Sequence, residues 1–268
     1  ANNAIRTPQF WCLWVILYCN ITAGIGILEN AAPMVQDYYP ALTAAAAAGF
    51  VGLLSLANMG GRFIWSSASD VIGRKNIYMV YLGVGLIFYF VVASAGHTSL
   101  ALFVVSTLIL LTFYGGGFST IPAYLRDLFG VYQVGAIHGR LLTAWSAAGV
   151  AVPLIINMVV ERQASRGNSG PELYQLSLYI MCVLLAVGLV ANILVKPVHK
   201  KWFEDPETVQ AKVEADRASA RASATTATAS GAGSLHALAA VVLALVIAVL
   251  LVYGLWETAA KASQMFAG

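Results

Sequence analysis

An arginine lies deep inside one of the apolar stretches of the chain. Arg62 precedes Asp70 by eight residues, which corresponds to about 12 Å of helix at about 1.5 Å per residue. An ionised arginine within a membrane is costly unless it faces a cavity or a counter-charge. Because its planar guanidinium can hold a carboxylate through two parallel hydrogen bonds, Arg62 predicts a site for a small organic anion. The alternatives are an ion pair with a carboxylate elsewhere in the protein and a side chain that extends to the membrane surface.

Two other polar residues could take part in such chemistry. Asn58 lies one helical turn before Arg62 on the same face and could hydrogen-bond the arginine or its ligand. Glu29 lies toward the end of an earlier apolar stretch, where a carboxyl group could carry a proton or close a gate. It could equally be an interfacial polar residue at a helix end.

No pattern in the sequence indicates an enzyme. The four histidines are scattered, and neither His-Glu-x-x-His nor a paired nucleophile and base is present. The three cysteines, Cys12, Cys19 and Cys182, lie in apolar stretches without the spacing of metal ligands. We therefore expect no catalytic residue, no metal site and no cofactor.

The composition is that of a membrane protein. Hydrophobic residues make up 59% of the chain and charged residues 10%, and the mean hydropathy is +0.77, whereas roughly 25% of the residues of soluble domains are charged. The charges cluster between long apolar stretches, as expected when a bilayer excludes ionised groups from each span. The net charge of +3 then reflects topology, so the bilayer is the expected partner and nucleic acid is not.

Six apolar stretches are long enough to cross a bilayer, since a spanning helix needs about 20 residues. They cover approximately residues 10–36, 42–69, 76–95, 99–125, 134–160 and 173–195, and a seventh covers 235–255. Residues 201–234 are charged at first and then rich in Ala, Ser and Thr, which predicts a solvated cytoplasmic linker. The expected fold is all-α and polytopic: a six-span part over residues 1–200, this linker, and an accessory transmembrane helix over residues 235–268.

The basic residues indicate which ends of the spans face the cytoplasm. Cytoplasmic segments of membrane proteins carry an excess of Lys and Arg. If the chain starts inside, the cytoplasmic segments of the six-span part hold eight basic residues and the outer loops hold two. The eight are Arg6, Arg74, Lys75, Arg126, Arg140, Lys196, Lys200 and Lys201, and the two are Arg162 and Arg166.

The loop between the second and third spans carries a motif. Residues 66–75 read SSASDVIGRK, which resembles the cytoplasmic loop signature of the major facilitator superfamily, Gly-x-x-x-Asp-Arg-x-Gly-Arg-Arg. The matching residues are Asp70, Gly73, Arg74 and Lys75, whereas the first glycine and first arginine of the signature are replaced. We expect these four residues to form a conformational latch, because the glycine permits a tight turn and the cations can reach helix-end carbonyls or a carboxylate. The alternative is that the two cations only set topology.

The superfamily resemblance implies a particular architecture. Such transporters have two six-helix halves with the substrate held between them near the midplane, and they work by alternating access. Only one half is visible in this sequence. We expect it to work with an N-terminal six-helix half, either in a longer protein or in a second subunit; a homodimer of this half is the alternative.

Three stretches resemble a narrower group, the oxalate:formate antiporter family. They are RTPQFW at residues 6–11, NITAGIG at 20–26 and GRLLTAWSAAGV at 139–150, and the resemblance extends over about residues 1–200. It implies secondary active transport of a small carboxylate such as formate, oxalate or lactate, in a bacterial inner membrane. Members of the family hold the anion with an arginine in the helix that here carries Arg62. A receptor or scaffold without transport activity is the alternative function.

The fourth span offers an aromatic surface. Tyr114 and Phe118 are one helical turn apart on either side of three glycines, and Pro122 follows, so this helix can bend or admit close contact. The family resemblance implies aromatic residues around the anion. The alternative is that these rings only pack between helices.

The fifth span departs from the pattern of oxalate carriers. The resemblance implies a lysine in this helix as a second cation, but residues 143–150 read TAWSAAGV without one. We therefore expect a monocarboxylate or another small anion in preference to oxalate, unless the other half supplies a cation. Trp145 and Ser146 are the candidates to line the pathway from this span, and the alternative is that its polar residues join helices.

The seventh span stands apart from the rest. Residues 253–258 read YGLWET and Lys261 follows, which resembles the single-helix small subunits found with some carriers of this family. The resemblance implies a fused accessory helix, and the alternative is a plain membrane anchor.

Overall fold

A computed structural model describes residues 2–203, 206–229 and 233–263, and every regular element in these ranges is helical. The helices are α1 (Asn2–Ile5), α2 (Pro8–Tyr38), α3 (Ala44–Ile72), α4 (Arg74–Ala95), α5 (Leu100–Phe129), α6 (Val134–Leu141), α7 (Thr143–Ser165), α8 (Glu172–Leu194), α9 (Pro206–Ala229) and α10 (Gly233–Ser263). Short 3-10 turns cover Gly96–Thr98 and Lys200–Trp202.

Within the described ranges, seven helices are long and apolar enough to cross a membrane, which confirms the expected all-α, multi-pass fold. The ends of the first six lie within five residues of the predicted stretches, and the last, Val241–Lys261, lies six residues after the predicted 235–255. The fifth span differs from the predicted single helix in its interior, because it consists of two helices, α6 and α7, that meet at Leu142.

Local sequence signals set several helix ends. The side chains of Thr7, Thr43 and Ser99 accept hydrogen bonds from backbone amides in the first turns of α2, α3 and α5, which satisfies donors that have no partner within the helix. Gly73 ends α3 and begins α4 at a φ of 90°, a conformation that glycine adopts without a steric penalty. Gly73 alone therefore separates α3 from α4.

The six spans within Ala1–Val198 form one compact unit. Of the membrane-length windows, 67% of that in α2 and 61% of that in α5 is buried, against 22% of the fifth span. These values place α2 and α5 at the centre and leave much of α7 exposed. Because the exposed residues of α7 include Val150, Leu154 and Met158, its surface suits lipid or another apolar surface.

Buried tyrosines of α4 hold the central helices together. Tyr78 donates a hydrogen bond to the carbonyl of Gly117 at 2.5 Å, and Tyr89 donates one to the carbonyl of Ala23. A buried backbone carbonyl has two acceptor lone pairs, so each can accept such a bond besides its helical one. These contacts join α4 to α5 and to α2.

His199–Ala259 form a second compact unit, which contains α9 and most of α10. The segment interpreted from its composition as a linker is an α-helix, Pro206–Ala229, over its described part. The apolar side chains of α10 between Val241 and Trp256 are exposed, as suits a helix surrounded by lipid. Parts of the predicted segments 1–200, 201–234 and 235–268 lie outside the described residues. They are residue 1, residues 204–205 and 230–232, and residues 264–268.

Candidate functional site

The site is built where α3 and α5 cross at close range. A Cβ atom added to Gly61 would overlap the backbone carbonyl of Thr112, and one added to Gly115 would overlap that of Asn58. Only glycine leaves room for such an approach, as is common where membrane helices pack closely. The crossing lies along α3 next to Arg62, about 15 Å from the last residue of that helix at about 1.5 Å per residue.

The Arg62 side chain is exposed beside this crossing. Its Nε donates a long hydrogen bond of 3.4 Å to Oδ1 of Asn58, and its backbone carbonyl accepts one of 3.1 Å from the Ser119 hydroxyl. In the part of the chain that the structure describes, no carboxylate oxygen lies within 4.0 Å of its guanidinium. The charge is therefore not neutralised by this unit.

Aromatic rings of α5 and α7 lie against the same guanidinium. Cζ of Arg62 lies 5.2 Å from the ring centre of Phe118, within the range of a cation–π contact. Phe118 in turn meets Trp145 edge to face, with ring centres 4.7 Å apart. The structure thus brings together Arg62, Asn58, Phe118 and Trp145 from three helices.

The two remaining candidates lie at the edge of this group. Tyr114, one turn before Phe118 on α5, is half-buried and close enough to Arg62 for a Coulomb interaction. Ser146 is exposed on α7 next to Trp145, and the hydrogen bonds of Arg62 in the described part of the chain go to Asn58 and Ser119. Ser146 is therefore the least supported of the six candidates.

Trp65 supports the site from behind, and it was not among the candidates. Its indole N–H donates to the Thr112 hydroxyl at 3.1 Å, and its ring packs against Tyr81 and Phe113. A buried indole needs a hydrogen-bond partner. A tryptophan three residues after Arg62 is therefore a sequence signal for a polar contact beside the site. It ties α3 to α5 one helical turn after the exposed arginine.

The glycines of α5 permit close contact, and the helix continues through them and through Pro122 from Leu100 to Phe129. A Cβ on Gly116 would overlap Trp65 and the hydroxyl of Tyr81, and one on Gly117 would overlap the amide of Asn20. Of the two expected roles, bending and close contact, the packing supports the second.

The four residues of the loop motif lie at the junction of α3 and α4. Arg74 contacts Asp70 at 2.5 Å and Asp127, near the end of α5, at 3.8 Å. The Arg74 side chain is only 10% exposed, whereas those of Asp70 and Asp127 are 68% and 51% exposed. Since exposed ion pairs contribute little, the burial of the guanidinium is what gives this cluster its rigidity.

Lys75 reaches the end of α8. Its ammonium group donates to the carbonyls of Ile193 and Val195 at 3.0 and 2.8 Å, where the negative end of a helix dipole favours a cation. The amide of Asn192 donates back to the Lys75 carbonyl at 2.9 Å and accepts a bond from the Tyr124 hydroxyl. One side of the loop is therefore tied to α5 and the other to α8, and the sequence had not indicated Asp127 or Asn192.

No family model matches the chain. The oxalate:formate antiporter of Oxalobacter formigenes is 26% identical over 153 residues, which cover 56% of this chain and 35% of that protein. An uncharacterised transporter of the major facilitator type, YhjX of Escherichia coli (strain K12), is 22% identical over 148 residues, which cover 55% of this chain and 36% of that protein. The matched region thus spans about a third of the length of these curated relatives. The chain is thus similar to an oxalate:formate antiporter and to a transporter of the major facilitator type, and its apolar helices fit one half of the major facilitator fold.

Proposed function

We propose that the chain carries a small organic anion across the cell membrane by alternating access, as one half of a two-half secondary transporter. The observation that supports this most is Arg62. It is an exposed guanidinium near the middle of a membrane-length helix, and no carboxylate lies within 4.0 Å of it in the described ranges. An anionic substrate would supply the counter-charge that such a position demands.

Each neighbour of Arg62 has a role in this proposal. Asn58 orients the guanidinium through its Oδ1 atom. Phe118 and Trp145 exclude water from one side, which strengthens the attraction between Arg62 and a carboxylate. Tyr114 and Ser146 border the same face and would meet the uncharged end of the substrate.

The substrate class that fits this charge is a monocarboxylate. Arg62 is the basic residue of the group formed with Asn58, Phe118 and Trp145, and the helix that supplies Trp145 contains no lysine between Thr143 and Ser165. A dianion would need a second cation from the opposite half. One relative is named for oxalate and formate, and of these two anions formate needs only one cation.

The loop motif serves as the latch in this proposal. Asp70, Gly73, Arg74 and Lys75 couple the junction of α3 and α4 to the ends of α5 and α8 through the contacts described above. These contacts would hold one conformation of the half until the substrate site changes state. The N-terminal half, or a second subunit in its place, supplies the opposite wall of the site, and α10 is a fused accessory helix in the bilayer.

Removal of the Arg62 guanidinium tests the proposal. In proteoliposomes that contain the complete carrier, Arg62→Ala should reduce formate and lactate uptake at least about tenfold, since a charge-assisted pair contributes about 1.5–3 kcal/mol. Arg62→Lys should also fail, because it keeps the charge and loses the planar fork.

Arg162→Ala is the matched control, since Arg162 is exposed at the far end of α7. It should insert and transport as the unmodified protein does. Uptake that survives Arg62→Ala with correct insertion would show that the anion binds elsewhere.

A further inference from the structure

Gly24 of α2 lies directly against the ring of Tyr114. A Cβ atom added at Gly24 would overlap Cγ and Cδ2 of that ring and would lie 2.6 Å from the Tyr114 Cβ. Atoms in proteins do not approach so closely, since carbon atoms pack at about 3.5–4.0 Å. The Tyr114 ring therefore packs directly against the backbone of α2, and any side chain at residue 24 would displace it.

The space behind the ring cannot receive it. Gly24 and Tyr114 border an internal cavity of about 10 Å³, together with Asn20 and Tyr89, and a cavity of this size holds at most about one water molecule. Asn20 is only 3% exposed, and its Oδ1 atom has no hydrogen-bond partner in the structure. Tyr89 is fixed there by its bond to the carbonyl of Ala23.

The other side of Tyr114 faces the candidate anion site. Tyr114 is half-buried and lies one turn from Phe118 on α5, whose ring centre is 5.2 Å from Cζ of Arg62. A ring that has no room inward and is pushed from α2 is expected to shift toward the side of α5 that carries Phe118, which contacts Arg62. The depth at which the ring sits is thus set by the absence of a side chain at residue 24.

We infer that Gly24 is a positioning residue that sets how far Tyr114 protrudes into the anion site, and so determines the size of carboxylate that the site accepts. This inference rests on the proposed function, because it requires the anion to bind at Arg62. Gly24 does not touch the substrate; it acts through the ring of Tyr114. A protruding ring obstructs a substituted carboxylate such as lactate and leaves room for formate.

The test compares KM for lactate with KM for formate in proteoliposomes that contain the complete carrier. Gly24→Ala should raise the ratio of the lactate KM to the formate KM at least about tenfold, because small differences in fit discriminate between substrates on this scale. The matched control is Gly26→Ala on the same helix, where the added Cβ would lie an ordinary 3.4 Å from Ile156. It should leave the ratio of the two KM values unchanged.

A second variant tests whether Tyr114 is the intermediary. Gly24→Ala combined with Tyr114→Gly removes the three nearest overlapping atoms, which all belong to the Tyr114 side chain, so lactate uptake should return and the KM ratio should equal that of Tyr114→Gly alone. If Gly24→Ala by itself does not insert, the double variant should insert, since the overlap is gone. Failure of the double variant to insert would overturn the inference, as would an equal change in both KM values in Gly24→Ala.

Arg62→Ala in the same vesicles separates the two proposals. If it leaves uptake of both anions intact, the proposed function fails and the inference fails with it. If it abolishes uptake while Gly24→Ala leaves the KM ratio unchanged, only the role of Gly24 is refuted.

Discussion

Substitution of Gly61 by alanine should destabilise the six-helix body, whereas the same substitution at the preceding residue should not. A Cβ at Gly61 would lie 2.6 Å from Cα of Thr112 and would overlap its carbonyl oxygen. These are backbone atoms, so no side-chain rotation relieves the contact. The axes of α3 and α5 must separate by roughly 1 Å to restore an ordinary carbon–carbon contact of about 3.5 Å.

The expected loss follows from two opposing effects. Overpacking of this kind costs about 3 kcal/mol at the upper end of its range, and alanine returns about 1 kcal/mol in helix propensity. The net loss of about 2 kcal/mol corresponds to a fall in apparent Tm of about 4–8 °C for a body of this size. At Gly60 a Cβ meets nothing within 4 Å, so Gly60→Ala should keep the propensity gain and raise the Tm by about 2–4 °C.

A thiol-reactive fluorescent dye measures this in detergent micelles. Cys12 and Cys182 are partly exposed and are replaced by alanine in every protein compared. Cys19 is 1% exposed in the folded protein, so its reaction with the dye on heating reports unfolding of the central helix α2. A Gly61→Ala protein that melts at or above the temperature of the unmodified protein would show that α3 and α5 do not cross as closely as described.

Two other changes test the site and the loop. Trp145→Lys should improve competition by oxalate relative to formate at least about tenfold, because it places a second cation near Arg62; an unchanged order of competing anions would count against the role given to charge in specificity. Arg74→Gln should slow uptake several-fold with normal insertion, because it frees Asp70 and Asp127 from the guanidinium between them. Lys196→Gln, an exposed cation away from Asp70 and Asp127, is the control and should not slow it; equal rates in both variants would refute a latch at Arg74.

The seven spans could be predicted because a bilayer demands long apolar helices with charges at their ends. The break in the fifth span could not. Its surroundings, GRLLTAWS at residues 139–146, have no proline, and the break is supported from outside the span. Thr143 donates to the carbonyl of Arg140 and accepts a bond from the indole of Trp14, which is 129 residues away in sequence.

The candidate site likewise contains a contact that the sequence predicts and contacts that it does not. The contact between Asn58 and Arg62 follows from a spacing of four residues on one helix. The approach of Trp145 to Phe118 depends on how α7 packs against α5, and the support of Trp65 depends on a hydroxyl 47 residues away. Helical periodicity carries no information on either.

In the second unit, the amino-acid composition of one segment favours a helix. The segment Pro206–Ala229 was interpreted from its polarity as a linker, but it is rich in alanine and contains Glu, Lys, Arg and Gln. These are the residues with the highest helix propensities. Its helical structure therefore follows from local preference, without any need for a core.

The junction at Gly73 gives the six-helix body a lever. Because one residue ends α3 and begins α4, no loop separates the helix of Arg62 from the cluster of Asp70, Arg74 and Lys75. Eleven helical residues from Arg62 to Gly73 make a rigid arm of about 16 Å. A tilt of α3 driven by an anion at Arg62 would reach Arg74 and Lys75 as a displacement at the end of that arm. In the proposed mechanism, anion binding at Arg62 and the movement of the latch residues are thus joined by a single helix.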